Sequence, residues 1–310
     1  MTILIATSVV RGSRQGESHG GVYLLDLEQQ RVSRPVDWNT MDIDWQGRGW
    51  DRGLRGIAFD GERIFIAASD ELFVYDPEFQ LIASHRNPYL KHCHEISVHQ
   101  RRLFLTSTGF DAILGFDLDN NRFSWGLQLS RDRHGLRGAP FHPEKQSGPV
   151  AMNELHLNSV FCDSRALYLS GLYSHGLHAY TGHRIEQVTT LPEGTHDARP
   201  HLDGILFNDT AKNAVRFVSS TGPQKVFAVP RYRRELLMHV EHDDSRVARQ
   251  AFGRGLCSIS DSLVAAGSSP STITLHDLDS MKTTLSINLS LYIRNAIHGL
   301  EVWPYQNFPD

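Results

Sequence analysis

The seven residues His201-Leu202-Asp203-Gly204-Ile205-Leu206-Phe207 carry the pattern on which the fold is built, because five other stretches of the chain repeat it. Each copy begins with a basic residue and carries an inner-strand residue four positions later. The copies begin, in order, at Arg55, His94, His156, His201, Arg254 and His298, at intervals of 39, 62, 45, 53 and 44 residues. Intervals of this size are typical of β-propeller blades joined by variable loops. The sequence therefore predicts six blades.

Short strands with alternating apolar residues follow each copy and complete a four-stranded blade. After Arg55, for example, strand patterns cover residues 63–68, 71–75 and 81–84. The last copy, at His298, has too few residues after it for a blade, whereas the N-terminal strand patterns 2–7, 21–26 and 31–35 belong to no copy. Pairing these strands with the C-terminal inner strand closes the ring and protects both edges. We predict an all-β, six-bladed β-propeller that forms one domain over residues 1–310.

Composition narrows the range of partners and compartments. The 310 residues include 31 basic and 35 acidic side chains, and a net charge of −4 does not favour binding to nucleic acid or to an anionic membrane. The chain has neither the basic leader of a signal peptide nor an apolar run of about 18 residues. Its three cysteines are an odd number and far apart, which favours reduced thiols. We expect a cytoplasmic protein, and the sequence does not indicate its oligomeric state.

The first residue of each copy is the point where the chain turns from the rim of the fold into the central channel. By pseudo-symmetry, these six residues form a ring around the axis. Neutral imidazoles that converge from separate strands bind transition metals well and leave positions open for a substrate or dioxygen. We therefore predict one mononuclear metal ion, Fe(II) first and Mn, Cu, Zn or Ni as alternatives, with the ligands His94, His156, His201 and His298.

Two other interpretations of the ring stay open at this point. The histidines can simply fill the channel mouth and donate hydrogen bonds to carbonyl groups or water. Together with the arginines they can also form a metal-free site for an anion or for acid/base chemistry. Arg55 and Arg254 occupy the two places without histidine, and guanidinium groups there suit bidentate binding of a carboxylate. They are the predicted substrate-binding residues, with salt bridges to loop carboxylates as the alternative.

Several loop residues are expected on the same face as the ring. Tyr173 and His175, in the connection between the second and third strands of their blade, are the predicted catalytic proton donor or acceptor. His196 and Asp197, just before the copy at His201, lie at the rim and are further candidates. The connections 37–54, 130–154 and 231–253 are too long for plain turns, and long loops on one face are usually functional.

The starts of the copies, especially His156-Leu-Asn-Ser-Val160 and His201-Leu-Asp-Gly-Ile205, resemble those of six-bladed propellers in the gluconolactonase-like and streptogramin-lyase-like superfamily. The four-histidine axis is similar in idea to that of the carotenoid oxygenases, whose seven-bladed propeller holds iron with four histidines. The resemblance covers the architecture of the whole chain and extends to no catalytic motif. Gluconolactonase-like enzymes favour carboxylate and amide ligands for calcium, so the imidazole-rich ring argues against that metal and that reaction.

These patterns predict a metal-dependent enzyme that acts on a small, carboxylate-bearing molecule at the channel mouth. An oxygenase or a lyase is favoured over a hydrolase, because the sequence contains no nucleophile elbow. The alternative is a non-catalytic propeller that presents its loop-rich face to a protein partner.

Overall fold

A computed structural model describes residues 2–14, 16–39, 53–145, 147–242 and 249–309. Within these ranges, six antiparallel sheets are arranged in a ring, which confirms the predicted six-bladed β-propeller. The helices of this part of the chain are single 3₁₀ turns, at Thr108–Phe110, Thr210–Lys212, Arg234–Leu236 and Val240–His242. None of them is long and apolar enough to cross a membrane. The three cysteines are free, as predicted.

The strands follow the chain blade by blade. The N-terminus supplies β1 (Ile3–Val10), β2 (Ser18–Asp26) and β3 (Arg31–Asn39) of the closing blade. Blade 1 contains β4 (Ile57–Asp60), β5 (Arg63–Ala68), β6 (Glu71–Tyr75) and β7 (Leu81–Arg86). Blade 2 contains β8 (Ile96–His99), β9 (Arg102–Ser107), β10 (Ala112–Asp117), β11 (Arg122–Asp132) and β12 (Gly135–Phe141), and blade 3 contains β13 (Leu157–Cys162), β14 (Leu167–Gly171), β15 (Gly176–Tyr180) and β16 (Ile185–Thr190). Blade 4 contains β17 (Thr195–His201), β18 (Gly204–Asp209), β19 (Ala214–Ser219) and β20 (Lys225–Ala228). Blade 5 contains β21 (Leu256–Ser258), β22 (Leu263–Ser268), β23 (Thr272–Asp277) and β24 (Lys282–Asn288), and β25 (Asn295–Val302) is the inner strand of the closing blade.

The two ends of the chain meet in one sheet, as predicted. Strand β25 pairs antiparallel with β1, from Leu4 opposite Val302 to Val10 opposite Asn295. The segment after β25 then crosses to blade 1, where the Tyr305 hydroxyl donates a 2.7 Å hydrogen bond to the carbonyl of Gly61. The closing blade is therefore held together by its own hydrogen-bonded ladder and joined to blade 1 by side-chain contacts.

Glycines let the inner strands approach one another closely at the axis. In three copies of the repeat, the second residue is a glycine. A Cβ atom at that position would collide with the carbonyl oxygen of the first residue of the copy in a neighbouring blade. The Cβ to oxygen distances would be 2.8 Å for Gly56 and His94, 2.9 Å for Gly255 and His298, and 2.3 Å for Gly299 and Arg55. Real Cβ atoms do not approach oxygen this closely, so a side chain at these positions would push the strands apart. The glycines of the repeated Arg-Gly and His-Gly pairs therefore allow the inner strands to pack closely around the channel axis.

The predicted long connections are only partly loops. Residues 130–141 continue blade 2 as the hairpin of β11 and β12, so that this blade has a fifth strand. Arg131 in the hairpin donates hydrogen bonds to the carbonyls of Tyr173 and Ser174 in blade 3, at 3.1 and 2.7 Å. The hairpin therefore braces the mouth of the channel beside blade 3. Most of the connection 37–54, and residues 243–248 of the connection 231–253, lie outside the described residues.

Candidate functional site

Five of the six predicted ring residues meet at the channel mouth. The imidazole centroid of His94 lies 5.6 Å from that of His156 and 5.9 Å from that of His298. The guanidinium groups of Arg55 and Arg254 are close enough to depress the pKa of both His94 and His298. Arg55 is fully buried and donates to the carbonyl of Cys93 at 3.1 Å, whereas Arg254 is only partly buried. The two arginines therefore differ in how a ligand can reach them.

His201 is the exception, and its predicted place in the ring has to be corrected. It lies at the end of β17, where its Nε2 is 2.9 Å from the carbonyl oxygen of Asp261 and its Nδ1 is 3.0 Å from the Ser258 hydroxyl. The ring position of blade 4 belongs to His196, five residues earlier in the same strand. The copy that begins at His201 runs into the second strand of the blade, so the predicted repeat is out of register with the inner strand there.

His94 and His196 have the same hydrogen-bond partners in two different blades. The Nδ1 of His94 donates to the carbonyl two residues earlier, at 2.8 Å, and lies 3.0 Å from the hydroxyl of Thr108, fourteen residues later. The Nδ1 of His196 makes the equivalent contacts at 3.1 Å and, with Thr210, at 2.9 Å. Because a carbonyl only accepts, Nδ1 carries the proton and Nε2 carries the lone pair in the neutral ring. The Nε2 of His196 is buried without a hydrogen-bond partner among the described residues.

The residues that accept these hydrogen bonds from Nδ1 have an unusual backbone conformation. The residues that present the two carbonyls, His92 and Gly194, have left-handed backbones with φ of 55° and 86°. For a residue with a side chain, such as His92, this conformation is uncommon and costs free energy. Each threonine hydroxyl also donates to the segment of chain that enters the next blade, Thr108 to the carbonyl of Leu157 and Thr210 to that of Gly253. The orientation of the two imidazoles is therefore fixed by the packing of adjacent blades.

The buried ring histidines are neutral at physiological pH. Burial holds the pKa of His94, His196 and His298 well below the usual 6.5, and the nearby Arg254 guanidinium lowers each pKa further. Arg55 has the same effect on the pKa of His94 and His298. A set of unprotonated imidazoles beside guanidinium groups can accept hydrogen bonds or bind a metal ion.

The candidate catalytic residues lie on the exposed side of the ring. Tyr173 is 42% exposed, and its ring packs edge-on against His156 at a centroid distance of 6.5 Å. His156 itself is partly buried, with its Nδ1 3.1 Å from the side-chain oxygen of Asn153. His175 closes the same turn with a left-handed backbone (φ 57°) and an exposed side chain. The structure thus brings Tyr173 to the ring, and no contact among the described residues joins the side chain of His175 to it.

A layer of carboxyl groups lies below the ring, further along the inner strands. Glu95 and Asp197 directly follow ring histidines, and Arg199 lies 3.8 Å from Asp197 and 3.3 Å from Glu301. Burial, together with the Glu301 carboxylate and against the pull of Arg199, raises the pKa of Asp197 to about 6. Burial also raises the pKa of Glu95 and of Glu301. Arg199 and Glu301 then line a cavity of about 200 Å³ at the other end of the channel.

As the side chains stand, no group of three or more histidine, cysteine, aspartate or glutamate residues in the described part of the chain is arranged as a metal site. The two imidazole spacings around His94 are nevertheless close to those in a metal centre. Imidazoles bound to one tetrahedral ion at about 2.1 Å have centroids about 5 Å apart. The centroid distances of 5.6 Å to His156 and 5.9 Å to His298 exceed that spacing by less than about 1 Å.

No protein-family profile matches this chain, and no curated protein matches its sequence. Among solved structures, a streptogramin B lyase is similar over 97% of this chain and 98% of that chain, with 11% identity and a TM-score of 0.51. Apo AztD from Citrobacter koseri is similar over 94% of this chain and 82% of that chain (11% identity, TM-score 0.48). A catalytically inactive virginiamycin B lyase from Staphylococcus aureus, solved with quinupristin, is similar over 79% and 69% (10% identity, TM-score 0.47).

The similarity to the streptogramin B lyase agrees with the six-bladed β-propeller that the strand topology shows, and it confirms the predicted resemblance at the level of the fold. At a sequence identity near one in ten, the similarity shows the fold alone.

Proposed function

We propose that this propeller is a metal-dependent enzyme whose ring histidines His94, His156, His196 and His298 hold one transition metal ion at the channel mouth. The observation that carries the proposal is the matched pair of His94 and His196. In both, Nδ1 donates to a backbone carbonyl, which leaves Nε2 to bind the metal. Metal-binding histidines almost always donate their other ring N–H in this way, because the contact fixes the tautomer and the direction of the lone pair.

The charge around the ring supports an anionic substrate. Burial keeps the histidines neutral through their low pKa, and the guanidinium groups of Arg55 and Arg254 lie close enough to lower the pKa of His94 and His298 further. Arg254 is the partly exposed cation and is the proposed contact for a substrate carboxylate, with the buried Arg55 behind the ring as a fixed positive charge. A bound divalent ion would act as a Lewis acid or as a centre for dioxygen. The proposed reaction is that of a lyase or an oxygenase.

Tyr173 is the proposed proton donor or acceptor for that reaction. Its ring rests against His156, and its exposed side chain stands at the entrance that a substrate has to pass. His175, two residues later in the same turn, is proposed to act with it. The metal is proposed as Fe(II), with Mn, Cu, Zn and Ni as alternatives, because four neutral nitrogen ligands suit each of these ions.

A metal-free site is the second candidate, and a specific observation favours it. In the described structure the imidazoles stand slightly wider than a metal centre needs, between two guanidinium groups. In that arrangement the arginines bind an anion directly, and the neutral histidines accept protons from it. The two candidates differ in one measurable quantity, the metal content of the protein.

Elemental analysis of protein purified without a histidine tag tests the proposal. The wild type should contain close to one transition metal ion per chain, and the double variant His94→Ala plus His196→Ala should contain less than a tenth of that, because two preoriented ligands are removed. His201→Ala is the matched control and should keep the full amount, since His201 lies outside the ring.

Each pattern of metal content has its own meaning. Metal in the wild type that is lost in the double variant and kept in the control supports the metalloenzyme. No metal in the wild type contradicts it and leaves the metal-free site or a non-catalytic scaffold that binds a protein partner. Loss of metal in His201→Ala alone would contradict the assignment of His196, instead of His201, to the histidine ring.

A further inference from the structure

A cavity of about 520 Å³ lies between the closing blade and blade 5. The closing blade lines it with residues of β1, β2, β3 and the start of β25, and blade 5 lines it with the segment that follows β24. No ring histidine is among the described residues around it. Volumes between about 300 and 1,000 Å³ are usual for sites that bind small molecules.

The cationic side chains of this cavity already have carboxylate partners. Arg34 donates to the Asp37 carboxylate at 2.7 Å. Arg294 donates to the Glu17 carboxylate at 3.5 Å and to the hydroxyl of Tyr292. Because each guanidinium is paired with a carboxylate of the protein, a charged ligand would lose its hydration without gaining a new ion pair. The cavity therefore favours a neutral ligand.

Flat and apolar groups form much of the cavity lining. Two tyrosine rings, those of Tyr23 and Tyr292, line it together with the side chain of Leu289. The imidazole of His239, which also lines it, lies against Tyr292 at a centroid distance of 4.5 Å. Met238 is 55% exposed beside them, and its flexible thioether side chain can adapt to the shape of a ligand. Planar walls of this kind suit a flat aromatic ligand.

A buried amide with an unpaired oxygen also lines the cavity. Asn295, the first residue of β25, is 6% exposed, and its Oδ1 has no hydrogen-bond partner among the described residues. Leaving a buried acceptor unpaired is unfavourable, so a ligand that donates to it is bound more tightly. An asparagine amide both accepts and donates, and it matches the edge of a base that carries an amino group beside a ring nitrogen.

We propose that this cavity, which we call the Asn295 cavity, binds a neutral amino-substituted heteroaromatic base of the adenine type. The amide of Asn295 accepts a hydrogen bond from the amino group of the base and donates one to the neighbouring ring nitrogen. The flat ring lies among Tyr23, Tyr292 and Met238. This is a second site, and it does not depend on a metal ion at the histidine ring.

Isothermal titration with adenine tests the proposal, with purine, the same ring system without the amino group, as the comparison. The wild type should bind adenine in a saturable way and at least fivefold more tightly than purine. Asn295→Leu should weaken adenine binding at least fivefold and should bind the two compounds alike, because the amide that distinguishes them is gone. Asn120→Leu, in the exposed turn between β10 and β11, is the matched control and should bind like the wild type.

A second variant keeps the test valid if Asn295→Leu does not fold. Met238→Ala changes an exposed side chain and leaves the amide in place. It should weaken the binding of adenine and of purine by the same factor, because it removes an apolar contact that both rings share. Unchanged affinity in this variant would overturn the placement of the ring beside Met238.

Adenine nitrogens can also bind transition metals, so the titration is repeated on chelator-treated protein. Adenine binding that survives chelation and depends on Asn295 supports the cavity, whatever the metal content of the purified protein. Adenine binding that disappears with the metal would place the base at the histidine ring and overturn the proposal. No saturable binding by the wild type, equal affinity for adenine and purine, or full affinity in Asn295→Leu would overturn it as well.

Discussion

Replacing Gly299 with alanine is expected to lower the free energy of unfolding by about 3 kcal/mol. The added Cβ would lie 2.3 Å from the carbonyl oxygen of Arg55 and 2.7 Å from the hydroxyl of Thr7. Neither atom can move freely, because the Thr7 hydroxyl donates to that carbonyl at 2.5 Å and accepts the N–H of Gly299 at 2.8 Å. The closing blade would therefore have to separate from blade 1, and the ring would widen at Arg55 and His298.

Gly222→Ala is the control for this variant. Its added Cβ would meet only the side chain of Ser219, at 3.3 Å or more, so the change should be within about 0.5 kcal/mol of zero. Urea unfolding followed by circular dichroism measures both variants. If Gly299→Ala were as stable as Gly222→Ala, then close backbone approach at the axis would not be what brings the ring residues together.

His276→Gln is expected to change how stability depends on pH. His276 is buried in blade 5 and stacked on Phe227, and its Nε2 and Nδ1 share hydrogen bonds with the hydroxyls of Thr274 and Thr283, at 2.9 and 3.0 Å, one nitrogen donating and the other accepting. Burial lowers its pKa from 6.5 to about 4. Since the folded state favours the neutral ring, its contribution is complete above pH 6.5 and is lost as the pH falls towards 4. Between pH 7 and pH 5 the wild type should lose about 2 kcal/mol from this residue.

The glutamine variant cannot lose that contribution, because its side chain does not titrate. The variant should be the less stable protein at pH 7, where it lacks the stacked ring, and the gap should shrink by about 2 kcal/mol at pH 5. Urea unfolding of both proteins at pH 5, 6 and 7 measures the difference, in which the other histidines cancel. A gap that stays constant or widens in acid would mean that His276 is protonated in the folded protein.

The architecture was predictable because strand alternation and blade spacing both leave a direct trace in the sequence. The unclaimed strand patterns at the N-terminus predicted the pairing of β1 with β25, since a single inner strand at the C-terminus has to find partners. The sequence predicts a loop where the hairpin of β11 and β12 lies. Every residue of its second strand is exposed or half-buried, so the strand lacks the apolar alternation that marks the strands of the blades.

The site was predicted less completely because one inner strand, β17, lacks the apolar pattern of the others. Strand β17 carries Arg199 and Pro200 where other blades carry apolar residues. The start of the next strand, β18, matches the repeat pattern, so the sequence alone predicts a copy of the repeat that begins at His201. A signal that distinguishes the two histidines is nevertheless present. Both His94 and His196 are followed by a threonine fourteen residues later, and His201 is not.

The contacts of Arg11, Arg249 and Arg254 with the ring of Phe252 left no comparable trace in the sequence. Arg11 belongs to the closing blade at the start of the chain, and Arg249 and Phe252 lie in a long connection without a repeat. Their convergence depends on ring closure and on the path of that connection, which periodicity does not record. Single arginines in loops are common, and only the structure shows that three of them share one aromatic ring.

Anomalous diffraction from crystals of the protein loaded with its own metal would decide whether the histidine ring is a metal centre. We predict one strong peak on the channel axis, about 2.1 Å from the Nε2 atoms of at least three of the four ring histidines, His94, His156, His196 and His298. A peak at His201 or at another surface histidine, with none on the axis, would contradict this assignment.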